Sequence, residues 1–407
     1  MEPELDEKHI AYIVSQDLVK ASSRLPSNRH RSMMVHSLVS SLGLLSAPHR
    51  AQVINPTCAT YKDLATYHSR DYLDYVLNPQ NSQDSDAPTS SIFGIEDDCP
   101  PFPGLPAYVE IVAGATLTAV KAVCQGIANV AICWDGGRHH ARKAHASGFC
   151  YVADCILGLM ALKKALPLSA PAEGLPPKKA RILYLDLDLH FSDAVSEAFQ
   201  TSSSYSTPQI LTLSIHHHSP GFFPSSPLAS LPDMDNPEFD PFTLSIPLKR
   251  GASDATYARI WTTVEALRDA WEPDCIVVQC GVDGLAGDPC ATFNWSLGSS
   301  EGSLSWCLKR VLTQWPGKKI LLGGGYHSAN AARAWAYITS LSLGNPLDLD
   351  THIPDHHSFP QYEPSFTLDI PSGNMQDLNT EADLQEIESC YHQVISRLRD
   401  RLSAGKV

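Results

Sequence analysis

The chain has 407 residues, of which 43% are hydrophobic and 18% are charged. This composition excludes a mostly disordered protein and supplies enough apolar material for a large core. With 44 acidic and 30 basic residues the formal net charge is −14, which argues against direct nucleic-acid binding and favours a basic or cationic partner.

The sequence alternates between apolar runs and amphipathic stretches, which predicts an α/β fold. We expect one domain over residues 1–407, with a core at about 9–372, a C-terminal helix at about 379–402, and a central parallel sheet with helices on both faces. Apolar runs predict strands at residues 9–15, 129–134, 181–186, 210–215, 275–280 and 319–322. Helical spacing predicts helices at residues 31–45, 61–68, 71–77, 106–125, 151–165, 193–199, 253–271, 303–315, 328–343 and 382–402. Polar or Pro- and Ser-rich composition predicts loops at residues 78–91, 167–179 and 219–240.

The cysteines and the N-terminus favour an intracellular enzyme with reduced thiols. The eleven cysteines form no C-x-x-C pair, and the N-terminus is charged without an apolar signal segment. The longest apolar helical stretch, near residues 109–124, contains Glu110 and Lys121 and is expected to be too short and too interrupted to cross a membrane. No membrane partner is therefore expected.

A first polar cluster lies at residues 185–190, which read LDLDLH after an apolar run. If the strand continues, its period of two places Asp186, Asp188 and His190 on one face. Two carboxylates and an imidazole inside a buried sheet are costly unless a cation or hydrogen bonds compensate them. An exposed strand face is the alternative, and the apolar residues 182–184 disfavour it. Asp and His are zinc ligands, but a third ligand is needed.

Asp283 supplies that third ligand. It follows the apolar run at residues 275–280, between Gly281 and Gly284, which let the backbone turn. An Asp-Gly pair alone is an ordinary turn. Together with Asp188 and His190, however, it predicts a metal site in which three protein ligands leave one position open for water and substrate.

Two adjacent histidines, His139 and His140, follow the predicted strand at residues 129–134 and a glycine pair. A histidine pair is a weak signal, since surface pairs occur by chance. At a strand end, however, one histidine suits a base for water and the other an acid for a leaving amine. Each needs a carboxylate to fix its tautomer, and Asp186 and Asp193 are the candidates.

The glycine run at residues 323–325 lacks the lysine and the spacing of a phosphate-binding loop. We expect this run to place Tyr326 in a site, where its phenol would stabilise a developing oxyanion. The alternative is that Tyr326 is a buried core residue. Loop aromatics at Phe149 and residues 222–223 suit either a slot for a long alkyl chain or simple packing. The histidine run at residues 216–218 is interpreted as mostly structural.

Several motifs resemble those of the class I zinc-dependent histone deacetylases, which have the arginase/deacetylase fold. The similarity runs from about His9 to about Ser372, and SPGFFP with GDP resembles the single-subunit, non-complexed branch. The motifs are MVHSL, DDCP, GGRHHA, ASGFCY, YLDLDLH, SPGFFP, GVDGLAGDP, GGGYH and IPDH.

The resemblance implies an eight-stranded sheet, hydrolysis of the acetyl amide of N6-acetyl-lysine, a catalytic Zn²⁺ with Fe²⁺ as the alternative, and a structural K⁺. The implied metal ligands are Asp188, His190 and Asp283, and the implied catalytic residues are His139, His140, Tyr326, Asp186 and Asp193. The implied substrate-binding residues are Asp98, Gly148, Phe149, Phe223 and Cys290. The implied K⁺ ligands come from Asp186, Asp188, His190, Ser214 and Ile215, and Arg31 would lie in an internal cavity.

The chain departs from the family pattern at several positions. Phe191 stands where a second histidine is usual, and residues 192–194 read SDA where Gly-Asp-Gly is usual. His145 replaces an acidic residue, Arg138 an apolar one, and His327 an asparagine. None of these changes removes a metal ligand or a catalytic residue. Together they resemble a divergent, fungal-type member and leave its rate and substrate preference open.

The expected partners are acetylated basic protein tails such as histones, in the nucleus or the cytoplasm. A corepressor complex is a further partner that the sequence allows.

The sequence leaves three alternative functions. They are a deacylase of longer acyl-lysines or of acetylpolyamines, a weakly active chromatin scaffold, and an arginase-like binuclear manganese ureohydrolase. Retention of every ligand disfavours the scaffold, and the histidine pair with Tyr326 disfavours the ureohydrolase.

Overall fold

A computed structural model describes residues 9–46, 51–82, 90–166, 179–201 and 208–404. These residues form an α/β fold with an eight-stranded parallel sheet, which confirms the expected fold class. The chain divides into two compact units, the first made of residues 1–158 and 318–369 and the second of residues 159–317 and 370–407. Helix α6 (Asp154–Ala165) begins in the first unit and ends in the second.

The first unit contains four of the strands, in the parallel order β2-β1-β3-β8. The strands are β1 (Ile10–Ile13), β2 (Gln52–Ile54), β3 (Val130–Cys133) and β8 (Lys318–Gly324). The helices described here are α1 (Gln16–Ser22), α2 (Arg31–Ser41), α3 (Tyr61–Leu64), α4 (Arg70–Val76), α5 (Leu105–Cys124) and α10 (Ser328–Ser342).

The second unit contains the other four strands, in the parallel order β7-β4-β5-β6. The strands are β4 (Ile182–Asp186), β5 (Ile210–His217), β6 (Thr243–Leu248) and β7 (Cys275–Gly281). The helices described here are α7 (Asp193–Phe199), α8 (Asp254–Trp271), α9 (Leu304–Thr313) and α11 (Glu381–Ala404).

The strand predictions succeed for the interior strands and miss the two edge strands. All residues of β1, β3, β4, β5 and β7 are buried, as expected for apolar runs covered on both faces. In β2, by contrast, Gln52 and Val53 are exposed, and β6 contains a proline at position 247. An edge strand needs less apolar sequence and tolerates proline, so an apolar run does not reveal it.

Helix α5 is the longest apolar helix of the first unit. Its 20 residues have the length and composition of a membrane-crossing helix, which corrects the expectation that this stretch is too short. However, 67% of its most apolar window is buried, and it packs on α1, β1 and β3. Gly114 lies so close to the chain that a Cβ would come within 2.0 Å of the Thr57 carbonyl oxygen. The helix packs as a core helix of this unit.

The predicted loops are partly described. The stretch at residues 219–240 is a loop with one short 3-10 turn, Pro227–Ala229. The predicted loop at 78–91 begins with the 3-10 turn Pro79–Ser82, and its residues 83–89 lie outside the described part of the chain. The predicted loop at 167–179 lies outside it as well, except for residue 179. All eleven cysteines are free thiols.

Candidate functional site

The LDLDLH segment leaves strand β4 after Asp186, which is the end predicted from the apolar run at residues 181–186. Strand β4 ends at Asp186, so Asp188 and His190 lie in the following loop, and the prediction of one continuous strand face is wrong beyond Asp186. Side-chain bonds shape the loop instead. The Asp188 N–H donates to Asp186 Oδ1 and the His190 N–H donates to Asp188 Oδ1, each at 3.0 Å. Leu187 and Leu189 are fully buried, and so the whole loop packs inside this unit.

Asp188, His190 and Asp283 come together in the second unit, as the sequence predicted. One ligand atom from each lies within 4.8 Å of the others, and all three residues are buried. His190 Nδ1 lies 2.9 Å from Asp283 Oδ2 and 3.2 Å from Asp188 Oδ1. The Leu189 N–H donates to Asp283 Oδ1 at 2.9 Å, which ties the loop after β7 to the loop after β4. This arrangement has the donor set of a catalytic metal site.

The electrostatics of this group fit a cation. Burial and the neighbouring Asp188 carboxylate raise the pKa of Asp283 well above its usual range. Burial alone would lower the pKa of His190, but hydrogen bonds to Asp188 and Asp283 outweigh burial and raise it well above its ordinary value. Both pKa shifts favour added positive charge among the two carboxylates and the imidazole. A divalent cation would supply that charge on the same donors.

Two residues that the sequence analysis missed hold the carboxylates in place. Gln279 Nε2 donates to Asp188 Oδ2 at 3.0 Å, and Gln279 Oε1 accepts the Gly281 N–H at 2.6 Å. Tyr184 donates its hydroxyl to Asp186 Oδ2 at 2.5 Å. A Cβ at Gly281 would lie 2.3 Å from Asp188 Oδ2, so only glycine leaves room there. The available signal was a glutamine inside the otherwise apolar run of β7.

Aromatic rings and a thiol surround His190. The ring of Phe222 stacks on the imidazole, with centroids 5.2 Å apart and planes 13° apart. Phe223, the residue that the sequence analysis selected, lies 6.3 Å from the His190 ring and is 41% exposed. The thiol of Cys290 is hydrogen-bonded to His190 and half-buried, and burial raises its pKa to about 11.

Of the five residues implied for potassium, Asp186, Ser214 and Ile215 lie on neighbouring strands of the second unit, and Asp188 and His190 lie in the loop after β4. Asp186 of β4 pairs in register with Ser214 of β5, and Ile215 follows Ser214. His216 Nδ1 lies 3.0 Å from the Ser214 hydroxyl, and its Nε2 lies 3.0 Å from the Ala229 carbonyl. Asp193 is the first residue of α7 and is buried.

The loop that carries the histidine pair is held by Asp154 of the first unit. This carboxylate accepts the Arg138 N–H at 2.7 Å, the Gly137 N–H at 3.0 Å and the Thr116 hydroxyl at 2.5 Å. Gly137 has a φ of +95°, and a Cβ there would lie 1.9 Å from the Gly323 carbonyl oxygen. Since no other residue fits that position, the sequence positions the histidine pair through a glycine.

His139 and His140 are both buried, with ring centroids 4.0 Å apart and planes 57° apart. In the same loop, Asp135 Oδ2 lies 2.9 Å from His36 Nε2, and His36 Nδ1 lies 2.8 Å from the Tyr12 hydroxyl. Although burial raises the pKa of Asp135, hydrogen bonding and charge from His36 reverse the effect and lower it overall. A buried pair of imidazoles at a strand end suits proton transfer.

Tyr326 follows the left-handed Gly325, which has a φ of +100°. Asn28 Nδ2 and Arg31 Nη1 each donate to the Gly325 carbonyl at 2.5 Å, so buried polar side chains fix the turn. The half-buried ring of Tyr326 lies edge-on to Phe149, with centroids 5.5 Å apart. The structure therefore brings the predicted Tyr326 and Phe149 together in the first unit.

Asp98 lies on an exposed rim of the first unit. Its Oδ2 accepts the Gly148 N–H at 2.8 Å, which joins the Asp98 loop to the loop of Gly148 and Phe149. Gly148 and Phe149 both have positive φ, at 54° and 60°. The neighbouring Ala146 N–H donates to the Phe93 carbonyl at 2.8 Å. The predicted substrate-binding residues Asp98, Gly148 and Phe149 thus share one rim.

The departures from the family pattern have structural partners. Phe191 is buried with its ring 4.8 Å from that of His216. His327 caps helix α10, because its Nδ1 accepts the Asn330 N–H at 3.0 Å. Arg138 Nη2 donates to the Asp135 carbonyl at 3.1 Å. These changes fill structural places, and none of them displaces a metal ligand.

Comparison with known proteins gives a consistent result. A family model described as histone deacetylase domain matches residues 25–342. The chain is 35% identical over 379 residues to histone deacetylase 8 of Xenopus tropicalis, across 92% of this chain and 95% of that protein. It is 34% identical to histone deacetylase 8 of Danio rerio over 384 residues, across 94% of each. It is 33% identical to histone deacetylase 2 of Oryza sativa subsp. japonica over 378 residues, across 92% of this chain and 68% of that protein.

Proposed function

Because the chain belongs to the histone deacetylase family, we propose that it hydrolyses the acetyl amide of N6-acetyl-lysine in histones or other proteins. The observation that carries this proposal is the buried group of Asp188, His190 and Asp283. A divalent cation would compensate its excess of negative charge, and three protein ligands would leave a coordination position for water and substrate. A purely structural role would not require such a costly burial of charge.

Zinc is the proposed metal, with Fe²⁺ as the alternative occupant of an oxygen-rich site. Asp188, His190 and Asp283 would hold it, and Gln279 would keep Asp188 oriented. When bound, such an ion supplies Lewis-acid polarisation of water and of the amide carbonyl. The thiol of Cys290 beside His190 would be uncharged at neutral pH, because burial raises its pKa.

The proton transfers are assigned to the buried histidine pair. We assign His139 and His140 as the acid and base that take a proton from water and deliver one to the leaving lysine amine. Asp186 and Asp193 are the proposed orienting carboxylates. Tyr326 donates its phenol hydrogen bond to the carbonyl oxygen as negative charge develops there. The clamp of Asn28 and Arg31 on Gly325 supports this role, because it fixes the backbone that carries Tyr326.

Substrate recognition is assigned to the rim and the aromatic residues. Asp98 accepts hydrogen bonds from the substrate backbone, while Gly148, Phe149, Phe223 and Cys290 enclose the acetyl-lysine chain. The net charge of −14 supports acetylated basic tails such as histones as substrates, and it disfavours direct nucleic-acid binding. We expect no membrane partner, and we propose a corepressor complex as a second kind of partner.

A structural potassium ion is proposed beside the metal. Side-chain oxygens of Asp186, Asp188 and Ser214 and the carbonyls of His190 and Ile215 would hold it. The register that pairs Asp186 with Ser214 supports this assignment, because it aligns oxygen donors on neighbouring strands. We further propose that residues 1–407 act as a single catalytic domain in the nucleus or the cytoplasm.

Turnover of defined acyl substrates by the purified chain tests the proposed function. Peptides carrying acetyl-lysine or longer acyl-lysines, together with N-acetylated polyamines, are compared, and the released acid is quantified. We expect the acetyl-lysine peptide to have the highest kcat/KM. A higher kcat/KM for a longer acyl group or for an acetylpolyamine would make that compound the proposed substrate instead. Zinc-loaded protein that turns over none of them would favour the weakly active chromatin scaffold.

A further inference from the structure

The segment Phe293–Asn294–Trp295 of the second unit connects the third metal ligand to the C-terminal part of the chain. Gly284, which directly follows Asp283, packs against both neighbouring aromatic rings. A Cβ at Gly284 would lie 3.4 Å from Phe293 and 3.5 Å from Trp295. The two aromatic side chains therefore lie beside the turn that carries Asp283.

Backbone contacts tie the same two stretches together. The Ala286 N–H donates to the Trp295 carbonyl at 2.8 Å, and Leu285 forms a parallel bridge with Trp295. Trp295 is itself fixed, because its ring stacks on Tyr257 with centroids 3.8 Å apart and its indole N–H donates to the Gly302 carbonyl. A displacement of this segment is thus transmitted to the Asp283 turn.

Asn294, between the two aromatic residues, contacts a different element. Its Nδ2 donates to the Met375 carbonyl at 2.6 Å and to the Gly251 carbonyl at 3.0 Å, and its Oδ1 accepts the Met375 N–H at 2.9 Å. The Gly373 N–H donates to the Asn294 carbonyl. The buried Asn294 amide thus binds both the Gly251 carbonyl and residues 373–375, which we call the C-terminal strap.

Glycines let the strap approach this closely. A Cβ at Gly373 would lie 2.4 Å from Asn294 Oδ1, and one at Gly251 would lie 2.0 Å from the Gln376 carbonyl oxygen. The strap is held beyond this point as well. Asp377 Oδ2 accepts the hydroxyls of Ser253 and Thr256 at 2.8 and 2.6 Å, at the start of α8.

We propose that Asn294 is a positioning residue which, by binding the C-terminal strap, holds the Asp283 turn in its metal-binding geometry. The chain of contacts runs from the strap through Asn294 to the flanking rings, then to Gly284 and Asp283. The inference rests on the proposed function, since it assumes that Asp283 binds the catalytic metal. It assigns to the strap a role in metal affinity as well as in folding.

Asn379 provides a matched control. Its Oδ1 accepts the Lys249 N–H at 2.8 Å, and its Nδ2 donates to the Lys249 carbonyl at 3.0 Å. Its amide therefore pairs with the backbone N–H and C=O of one residue, as the Asn294 amide does with Met375. It belongs to the same C-terminal region, but its side chain is hydrogen-bonded to Lys249 and Asp377 and not to the Phe293–Trp295 segment. Loss of Asn379 should loosen that region without moving Asp283.

The test measures the zinc dissociation constant of the full chain by competition with a chromogenic chelator, in the variants Asn294→Ala and Asn379→Ala. We expect the dissociation constant of Asn294→Ala to rise about tenfold, the lower end of what loss of a supporting group costs a metal site. Asn379→Ala should bind zinc as the unmodified chain does. Gly373→Ala provides a second route if Asn294→Ala fails to fold, because it pushes the strap away while the amide remains.

The outcomes separate this inference from the proposed function. An unchanged zinc dissociation constant in folded Asn294→Ala and Gly373→Ala would overturn the inference, and so would an equal loss in Asn379→Ala. Zinc bound by the unmodified chain without turnover of any acyl-lysine would instead overturn the proposed function and leave the positioning role standing.

Discussion

Two buried carboxylate clusters, one in each unit, are built for different purposes. Asp154 of the first unit and Asp283 of the second are both fully buried, and burial raises the pKa of both. Around Asp154, two backbone N–H groups and a hydroxyl counter that rise. Around Asp283, the Asp188 carboxylate raises the pKa further, His190 lowers it, and one backbone N–H, that of Leu189, donates to the carboxylate.

The difference teaches how to distinguish a structural carboxylate from a ligand. A carboxylate surrounded by peptide donors is satisfied by the chain itself and serves the local backbone. Two carboxylates that face one imidazole carry net negative charge, so the group could hold a metal ion. The first cluster shapes the loop of the histidine pair, and the second is the candidate metal site.

The largest expected effect comes from removing each carboxylate in turn. Asp283→Ala should give a folded protein with little bound zinc and no measurable turnover. Asp154→Ala should leave two buried N–H groups unsatisfied, which lowers the free energy of unfolding by about 1–3 kcal/mol for each. Metal analysis of the folded fraction and urea unfolding separate the two effects. Stoichiometric zinc in Asp283→Ala would contradict the comparison.

Tyr326→Phe tests the first unit on chemistry rather than on folding. The phenol donor is lost while the ring contact with Phe149 remains. We expect kcat to fall by about 10²-fold, the size seen for loss of an oxyanion donor, with unchanged zinc content and thermal midpoint. Steady-state kinetics on one acetylated peptide measure this, and an unaltered kcat would remove Tyr326 from the mechanism.

The rim should give a smaller effect. In Asp98→Asn the side-chain oxygen still accepts the Gly148 N–H, and only the charge is lost, so kcat/KM for a peptide should fall about tenfold because charge-assisted bonds are stronger than neutral ones. The control is Asp97→Asn, since Asp97 has a φ of +43°, which asparagine tolerates. It should change kcat/KM by less than about threefold, as an exposed charge does. Equal losses at both positions would indicate general electrostatic attraction.

The smallest effect is expected at an exposed carboxylate. The hydrogen bonds from Lys249 and Thr380 lower the pKa of Asp383 to about 2. Since the folded-state pKa is depressed, the resulting stability is present above about pH 4 and is lost as pH falls towards 2. Solvent screening keeps it small, so Asp383→Asn should lower the free energy of unfolding at neutral pH by no more than about 0.5 kcal/mol. Urea unfolding at pH 7 and pH 3 measures it, and a larger loss that persists at low pH would be inconsistent with a charge effect.

The sequence predicted the parts of the fold and the site that depend on local pattern. Interior strands such as β3 and β7 follow from apolar runs, and the Asp188–His190–Asp283 group follows from carboxylates placed at strand ends. The edge strands β2 and β6 were missed because their outer side needs no apolar residues. The end of β4 at Asp186 agrees with the predicted strand, but the backbone of the following loop depends on hydrogen bonds to the Asp186 and Asp188 carboxylates, which the local pattern does not show.

Contacts between residues distant in the sequence were beyond local pattern. Gln279 and Asp154 each satisfy groups on another segment, and nothing in their immediate sequence shows which one. The choice between Phe222 and Phe223 likewise depends on which ring lies flat on His190. Asn294 resembles an ordinary loop residue until the C-terminal strap is placed beside it.

The central claim is that the second cluster is completed by a divalent cation that catalysis needs. The most direct measurement is metal analysis of the purified chain, combined with turnover of an acetyl-lysine peptide before and after chelation. We predict about one zinc or iron ion per chain, loss of turnover on removal of the ion, and recovery when zinc is restored. A folded protein that binds no divalent ion at pH 7, or one whose turnover is unchanged after the ion is removed, would contradict the account.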